Sequence, residues 1–496
     1  MSGAAQIVAG LILALAGWLI PRRIAGARGL GVAALLDAAP LAFVAAVLFV
    51  ASGRPVFAGA VAFALGAGFA FADRTLRDTL REPVVFTALS ELPQVFTHPQ
   101  LYLPFAGTGT VLGSAAAALL AGTVLLAAEP SVVAPHPRLA LFAALAVAAA
   151  LWRLGHEPWL GRTARRLRRL RPSGAPFADA VRLGPVAMPV AHGIIARAER
   201  PARWAALAAP ALRGERAAAR PIVLVQCESF FDARRALPGL PRDLLAGFDA
   251  ACADGMHGRL TVPAWGANTT RAEFAVLTGL DEAQLGYDRF NPYHALARRP
   301  LASQVWRLRA AGYRTICLHP FDRRFFRRDL AMPALGFETF LGRETLGGGR
   351  RPPYRSDPEL AGDILRVLGE AGPRTFIFAI TMGNHGPWFS EDDGLAAYLA
   401  GLRRSDEMIG LLVRGLGRRR DDTLFGFYGD HLPSLPRVFA RLGFDDWRSD
   451  YAIWGAGRDE QRDIAAHELG RWLADLALAA GNNAVRDAVV AETHGA

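Results

Sequence analysis

Long uninterrupted apolar runs occupy the first third of the chain, and short ones occupy the rest. Five runs of the first kind cover residues 4–20, 30–50, 56–72, 110–128 and 139–151. A helix that spans a bilayer needs about 20 apolar residues, with about 17 as the lower end, and the first four runs meet this length. The fifth is short, but Pro137 and Trp152 extend it. The pattern predicts a transmembrane domain of five spans over residues 1–155.

Two segments near these runs have a mixed character. Residues 74–107 combine polar and apolar positions with prolines, which predicts an interfacial segment along the membrane surface. After the fifth run, Leu160, Leu167 and Leu170 fall on one helical face and arginines cover the rest. We interpret residues 156–215 as a basic amphipathic linker, which either lies on anionic headgroups or is a solvated spacer.

From about Pro201 the pattern changes to short β-rich runs that alternate with amphipathic helical stretches. The strand candidates lie within residues 221–230, 313–320, 374–381, 423–430 and 450–457. Strands that alternate with helices of this length predict an α/β domain with a mostly parallel central sheet. We expect this domain over residues 216–485, followed by a tail over residues 486–496.

Polar side chains directly follow four of these strands. They are Glu228 and Ser229, His319, Asn384 and His385, and Asp430 and His431. Ligands bind outside the carboxyl ends of parallel strands, so four such positions on one edge predict a site. Glu228, Asp430 and His431 supply two carboxylates and an imidazole, a set that suits Mn²⁺, Zn²⁺ or Mg²⁺.

The stretch GANTTRAEF, at residues 266–274, has two interpretations. Asn268, Thr269 and Thr270 can cap a helix that starts near Arg271, with Glu273 as an acid close to its N-terminus. A threonine at a helix N-terminus beside a cation is also a good nucleophile, because both features lower the pKa of its hydroxyl.

Composition narrows the class of partner. The net charge is +11, and all 56 basic residues are arginines. This balance favours anionic headgroups or phosphates, and the lack of zinc-finger, helix-turn-helix and RNA-binding signatures disfavours nucleic acid. The three cysteines, Cys227, Cys252 and Cys317, match no metal or redox spacing, so we interpret them as small buried hydrophobes.

Five blocks of the second half resemble the lipoteichoic acid synthase and phosphoglycerol transferase family, within the alkaline phosphatase and sulfatase superfamily. In the order of that family they are VQCESF, GANTTRAEFAVLTGL, LHPFDRRFFRRD, TMGNHGPW and YGDHLPS, between residues 220 and 460. The five preceding spans are also similar to the architecture of that family. The resemblance implies a sulfatase-like (alkaline phosphatase-like) catalytic domain on a multi-pass membrane anchor.

The resemblance also implies roles for residues. One divalent ion, Mn²⁺ first with Zn²⁺ or Mg²⁺ as alternatives, would be held by Glu228, Thr269, Asp430 and His431. Thr269 would be the nucleophile, because the threonine of the family precedes a Glu-Phe pair by four residues, as Thr269 precedes Glu273 and Phe274. His385 would bind the phosphoryl group or protonate the leaving group. The headgroup pocket would include Arg328, which contacts the phosphate, with His319 and Phe326.

The implied reaction moves a glycerophosphoryl group from phosphatidylglycerol, through a phosphothreonine intermediate, to a hydroxyl of a glycan or polyglycerolphosphate outside the cytoplasm. Two alternatives stay open: a phosphoethanolamine transferase of the same superfamily, and a non-catalytic membrane-anchored binding protein. The Cys-x-Pro-x-Arg motif typical of sulfatases is absent, which disfavours sulfate ester hydrolysis.

The implied location is the bacterial inner (cytoplasmic) membrane, with the catalytic domain periplasmic or extracellular. Arginine clusters follow the first, third and fifth runs, and the positive-inside rule would place them, with the second half of the chain, in the cytoplasm. We give the family motifs more weight than the positive-inside rule, because the chain is rich in arginine throughout.

Overall fold

The structure is a computed structural model that describes residues 2–209, 220–296, 299–347, 355–417, 423–456 and 459–493, with side chains up to residue 479. It divides into two compact units, Met1–Pro201 and Ala202–Ala496. The predicted boundary between residues 215 and 216 lies outside the described residues, as does the end of the predicted tail. The domain limits drawn from the sequence stay a prediction.

The first unit is helical. Its helices are α1 (Gly3–Ala25), α2 (Val32–Ser52), α3 (Pro55–Leu80), α4 (Ala88–Thr97), α5 (Pro99–Ala106), α6 (Thr108–Ala128), α7 (Pro137–Leu154), α8 (Trp159–Arg168), α9 (Pro176–Leu183) and α10 (Ala187–Ala206), the last of which continues past Pro201. Helices α1, α2, α3, α6 and α7 are long and apolar enough to cross a membrane, and each overlaps one of the predicted runs. The prediction of five spans is confirmed by length and composition.

Small residues allow α1 and α3 to pack closely. A side chain at Gly59 would collide with the backbone carbonyl of Gly10, and one at Gly66 would collide with that of Gly17. Between apolar helices, which gain nothing from leaving lipid for protein, such close backbone approach is a main source of association.

Asp37 is a fully buried acid inside the second span. It accepts hydrogen bonds from the Trp18 indole and the Arg22 guanidinium, both at 3.0 Å, and from the backbone N–H groups of Val186 and Ala187. Each of its oxygens therefore has partners, and the residue fastens α1, α2 and the start of α10 together.

A nine-stranded sheet forms the centre of the second unit. Its strands are β1 (Ile222–Cys227), β2 (Gly255–Thr261), β3 (Arg314–Leu318), β4 (Thr339–Leu341), β5 (Thr375–Ile380), β6 (Leu424–Gly429), β7 (Ser449–Trp454), β8 (Glu460–Gln461) and β9 (Ile464–Ala465). Their order is β4-β3-β5-β1-β6-β7-β2-β8, and β9 pairs with β2. Only the pairs of β7, with β6 and with β2, are antiparallel among the described residues. The expected α/β domain with a mostly parallel sheet is confirmed.

Helices cover both faces of this sheet. They are α11 (Ala246–Ala253), α12 (Thr269–Thr278), α13 (Glu282–Leu285), α14 (Pro292–Leu296), α15 (Gln304–Ala310), α16 (Arg328–Leu335), α17 (Arg343–Leu346), α18 (Asp357–Ala371), α19 (Leu395–Leu416), α20 (Pro436–Leu442) and α21 (Ala466–Thr493). Strands β1, β5 and β6 are buried at every residue, as expected for continuous apolar runs in a sheet covered on both faces.

The sheet order brings the predicted site positions to one edge. Strands β3, β5, β1 and β6 are consecutive neighbours, and each is parallel to the next. The residues that follow their carboxyl ends are therefore adjacent, as the sequence predicts.

Candidate active site

Three predicted metal ligands meet where β1 and β6 end. One ligand atom each from Glu228, Asp430 and His431 lies within 4.8 Å of the others. His431 Nε2 is 3.4 Å from Glu228 Oε1 and 3.3 Å from Asp430 Oδ2. The register of the two strands explains this proximity. Cys227 is paired with Gly429, so the residues that follow in each strand leave the sheet at the same level.

The electrostatics of this cluster fit a cation. Burial, together with the charge of Glu228, raises the pKa of Asp430 to about 7. Burial disfavours the charged form of His431, but the attraction of Asp430 and Glu228 outweighs it and raises the pKa of that imidazole. The backbone N–H groups of Ser229 and His431 both donate to Asp430 Oδ1, and Oδ2 lies 3.3 Å from His431 Nε2. Two buried carboxylates and a neighbouring imidazole suit a divalent ion, which would neutralise charges that the protein leaves unbalanced.

The ring of His431 is oriented for such a role. Its Nδ1–H donates to the backbone carbonyl of Leu432 at 2.9 Å, so that Nε2 faces the two carboxylates. A histidine whose second nitrogen is tied to a carbonyl is held in the tautomer and orientation that a metal ligand needs.

Thr269, the fourth predicted ligand, lies beside this cluster. Its Oγ1 is 3.3 Å from His431 Nε2, and the residue is 6 % exposed. Helix α12 begins at Thr269, whereas the capping interpretation expected a start near Arg271, and the side chain of Asn268 makes no capping hydrogen bond. The hydroxyl is therefore directed at the cluster from the first residue of a ten-residue helix, where the helix dipole favours negative charge.

Strained backbone is concentrated around the predicted site residues. In the second unit, left-handed φ angles at residues other than glycine occur at Ser229 (55°), Ala267 (47°), Phe326 (55°), Arg327 (59°) and Asp393 (60°) among the described residues. The first four lie within two residues of a predicted site residue. Such conformations cost about 1–3 kcal/mol each and persist where the surroundings over-determine them, as active sites do.

Ser229 has a supporting role that the sequence interpretation missed. Its hydroxyl donates to Glu228 Oε1 at 2.8 Å, and its backbone N–H donates to Asp430 Oδ1 at 2.9 Å. One residue thus orients both carboxylates of the cluster. The only signal in the sequence was the position of this serine, directly after Glu228 at the end of a strand.

Replacing Ser229 by glycine is expected to weaken divalent metal binding by about 10-fold or more, the usual effect of losing a group that orients metal ligands. Glycine adopts the positive φ without strain and keeps the N–H, so this variant removes the hydroxyl without adding strain. Titration calorimetry with Mn²⁺ and with Zn²⁺ measures the change. Ser229→Ala is the companion variant, which removes the same hydroxyl and keeps the Cβ at the positive φ. Unchanged affinity in Ser229→Gly would show that the hydroxyl does not orient Glu228.

The predicted headgroup residues form a second group. Arg328 Nη1 is 3.3 Å from His319 Nε2, and the guanidinium lies 5.4 Å from the centre of the Phe326 ring. Burial and the neighbouring Arg328 keep the pKa of His319 well below its usual range, so this imidazole is neutral and accepts from the guanidinium. The predicted contact of Arg328 with a phosphate stays a prediction.

Glu273 has a different place from the one its sequence position suggested. It is fully buried and forms a two-pronged ion pair with Arg328, with Nη2 to Oε2 at 2.8 Å and Nε to Oε1 at 3.0 Å. It is not an acid of the first turn of α12, because the helix begins two residues earlier than expected. This pair joins the headgroup residues to the helix that carries Thr269.

His385 follows β5, the neighbour of β1, and is partly buried. Its Nδ1–H donates to the carbonyl of Gly386 at 2.6 Å, which leaves Nε2 available for proton transfer. Its positive charge when protonated would also act on His319, which lies near enough for His385 to lower the pKa of that residue. The assignment of His385 to acid catalysis stays a prediction.

The sequence of this chain is similar to those of known proteins. The model of the sulfatase family matches residues 220–474. The capsular polysaccharide biosynthesis protein RkpI of Rhizobium meliloti (strain 1021) is 32 % identical over 399 residues, which cover 75 % of this chain and 72 % of that protein. A protein of the same organism named for cyclic beta-1,2-glucan modification is 29 % identical over 242 residues, 45 % of this chain but only 37 % of its own length.

A solved structure shares the fold over nearly the whole chain. It is the integral membrane lipooligosaccharide phosphoethanolamine transferase A (EptA) from Neisseria meningitidis, with a TM-score of 0.50 and 13 % identity, and the likeness covers 95 % of each chain. The fold of this chain, including its helical unit, therefore occurs in a solved integral membrane protein. The family model covers about half of the chain, and it includes all four residues of the candidate metal site. The chain belongs to the sulfatase family of the alkaline phosphatase-like superfamily.

Proposed function

We propose that this protein is a metal-dependent phosphoglycerol transferase, which moves a glycerophosphoryl group from phosphatidylglycerol to a glycan hydroxyl outside the cytoplasm. The observation that carries the proposal is the Thr269 hydroxyl, buried at the start of α12 and 3.3 Å from His431 Nε2 in the Glu228, Asp430 and His431 cluster. A threonine in this position supplies an alcohol nucleophile in place of the modified cysteine or serine that sulfate hydrolysis uses.

The proposed reaction consists of two displacement steps at phosphorus, in which Thr269 and His385 have the main roles. In the first, Thr269 Oγ1, having lost its proton to solvent, forms a bond to phosphorus while the bond from phosphorus to the diacylglycerol oxygen breaks. His385 Nε2 gives a proton to that leaving oxygen. In the second, the acceptor hydroxyl gives its proton to the neutral His385 and bonds to phosphorus, and Thr269 leaves.

The metal, when held by Glu228, Thr269, Asp430 and His431, would lower the pKa of the threonine hydroxyl and offset charge on the phosphoryl oxygens. We propose Mn²⁺, with Zn²⁺ or Mg²⁺ as alternatives, because the donor set of two carboxylates, an imidazole and a hydroxyl suits hard to borderline cations. Arg328 would stabilise the same oxygens from the headgroup side.

A glycan acceptor is favoured by the relatives. One is named for capsular polysaccharide biosynthesis and another for modification of cyclic glucans. Five apolar helices, each long enough to cross a membrane, would hold the chain beside a lipid donor. We propose that this is the bacterial inner membrane and that the catalytic unit is periplasmic, where such acceptors would be reached.

A phosphoethanolamine transferase is the second candidate function, since EptA shares the fold of the whole chain. Transferases of that branch tend to carry several disulfides in the soluble domain. Here Cys227, Cys252 and Cys317 are all free thiols. This observation favours the phosphoglycerol reaction over the phosphoethanolamine reaction.

The test is a donor assay with the whole protein in nanodiscs. Radiolabelled phosphatidylglycerol and phosphatidylethanolamine are supplied in turn with Mn²⁺, and the release of diacylglycerol is measured. We expect release from phosphatidylglycerol and a glycerophosphoryl adduct of +154 Da on the peptide that contains Thr269, about the mass of that group added to a hydroxyl. Release from phosphatidylethanolamine alone would replace the proposal with the second candidate, and release from neither lipid would refute both.

A further inference from the structure

A layer of buried polar side chains lies beneath the candidate site. Gln226 is two residues before Glu228 on β1, and Tyr428 is two residues before Asp430 on β6. Glu273 is four residues after Thr269 on α12. Each member of the layer is thus two or four residues from a proposed metal ligand along the chain, and each is fully buried.

Hydrogen bonds connect this layer into one network. Tyr428 donates to Gln226 Oε1 at 2.5 Å, and Gln226 Nε2 donates to Glu273 Oε2 at 3.1 Å. Tyr293 donates to Glu273 Oε1 at 2.6 Å, and Arg328 holds both oxygens of the same carboxylate. Glu273 is therefore the junction of the network, and its two oxygens share four donor groups.

The geometry of the ion pair decides what Arg328 offers to a ligand. Glu273 occupies the side of the guanidinium formed by Nε and Nη2, with Nε at 3.0 Å from Oε1 and Nη2 at 2.8 Å from Oε2. A guanidinium has five N–H groups in a rigid plane, so holding one side fixes the direction of the other. The remaining side, formed by Nη1 and Nη2, is the one that borders His319.

The charge of Glu273 affects how Arg328 binds an anion, in addition to the geometry of the ion pair. Arg328 is 1 % exposed, and no other carboxylate contacts it within the described residues. The pair is thus neutral as a whole, and the guanidinium keeps its donors without adding a full net charge to a buried site. An unneutralised arginine at this place would hold an anionic ligand tightly in every state, which lowers turnover rather than raising it.

We propose that Glu273 is a positioning residue that acts through Arg328. It orients the outer side of the guanidinium toward the headgroup phosphate, and its carboxylate neutralises the positive charge of Arg328. The inference rests on the proposed function, because it assigns that ligand to Arg328. It concerns no metal ligand, and it predicts an effect that disappears when Arg328 is absent.

The experiment is a double-mutant cycle on the whole protein in nanodiscs. Glu273→Gln preserves the volume and one acceptor oxygen but removes the charge and the two-pronged pair. We expect kcat for headgroup release to fall by about 10²-fold, as when a group that orients a transition-state contact is lost. Adding Glu273→Gln to Arg328→Ala should change kcat by less than about 3-fold, because coupled residues are not additive. Equal losses in both backgrounds would overturn the proposal.

Two further variants keep the test decisive. Tyr293→Phe removes one hydrogen bond from Glu273 but leaves the ion pair, so it should lower kcat by less than about 3-fold. Glu273→Asp retains the charge but draws the guanidinium back by one methylene. It should lower kcat by about 10-fold and keep metal affinity, and it serves in place of Glu273→Gln if that variant does not fold. Wild-type kcat in Glu273→Asp would refute the positioning role.

A binding measurement separates this inference from the proposed function. Glycerol phosphate and inorganic phosphate are titrated into the wild-type protein and Glu273→Gln with Mn²⁺ present. We expect both anions to bind about 10-fold more tightly to Glu273→Gln, because Arg328 loses its neutralising partner. If the wild-type protein releases no headgroup but this difference is found, only the proposed reaction fails. Equal anion affinities of the wild-type protein and Glu273→Gln would refute the neutralising role of Glu273, whichever reaction the protein catalyses.

Discussion

Replacing Thr269 by alanine is expected to abolish headgroup transfer, with a loss of at least about 10⁴-fold in the rate of diacylglycerol release. A loss of this size corresponds to about 5.5 kcal/mol of transition-state stabilisation, which is reasonable for the removal of a nucleophile. The variant removes one hydroxyl and one methyl group at the first residue of α12, so the helix should persist. Circular dichroism and the thermal transition are expected to match those of the wild-type protein.

The neighbouring Thr270 is the matched control. It is buried to a similar degree, at 9 % exposed against 6 % for Thr269, and it occupies the next position of the same helix. Thr270→Ala should retain at least about a third of the wild-type rate, because that hydroxyl takes no part in the bond to phosphorus. The opposite pattern, with Thr270→Ala inactive and Thr269→Ala active, would move the nucleophile by one residue and break the assignment.

Thr269→Ser supplies a second control, because it keeps the oxygen and removes only the methyl group. We expect it to transfer the headgroup within about 10-fold of the wild-type rate and to form the same covalent adduct. Retained metal binding in Thr269→Ala, with a reduced affinity, would separate the loss of the nucleophile from the loss of the whole site. Full activity in Thr269→Ala would exclude a phosphothreonine intermediate.

The part of the fold that sequence predicted well is the part with strong local signals. The apolar runs of β1, β5 and β6 specify buried strands. The residues that follow β1, β3, β5 and β6 lie on one edge because neighbouring parallel strands end together. The five long helices could be predicted from the length and hydropathy of the apolar runs alone. These features depend on residues that are close in the chain.

The missed strands have weak local signals. Strand β2 contains Gly255 and Gly258 with only Met256 and His257 between them, and β4, β8 and β9 have three residues or fewer. Glycine and short length both lower the preference for a strand, so these segments gain their conformation from pairing with the sheet. Sequence patterns cannot show such pairing, because it is set by distant residues.

The role of Glu273 shows the same limit at the site. Locally, an acid near the start of a helix suggests an interaction with the helix N-terminus, and that interpretation was wrong. Its real partner, Arg328, lies 55 residues further along the chain. The ligands Glu228, Asp430 and His431 were easier to find, because each directly follows a strand and the strand order places them together.

Replacing Asp430 by asparagine is expected to remove metal binding and to abolish transfer, yet to stabilise the metal-free protein. Burial and the charge of Glu228 raise the pKa of Asp430 to about 7, so at pH 8 the metal-free fold carries an ionised carboxylate that it disfavours. Against an unfolded pKa of 3.8, this raised value makes the folded state less stable as pH rises through the range between the two values. Asparagine removes that penalty and still accepts the hydrogen bonds from the N–H groups of Ser229 and His431 through Oδ1.

Thermal unfolding with and without Mn²⁺ at pH 8 measures both effects. The wild-type protein should gain about 2.7 kcal/mol at a metal concentration 100-fold above Kd, a shift of several degrees, and Asp430→Asn should gain nothing. Asp406→Asn is the matched control, since Asp406 is another buried carboxylate with a raised pKa, but its partners are the N–H groups of Gly247 and Phe248. That variant should keep the metal-dependent shift. A metal-dependent shift in Asp430→Asn equal to that of the wild-type protein would mean that Asp430 is not a metal ligand, because the ion would then bind without this carboxylate.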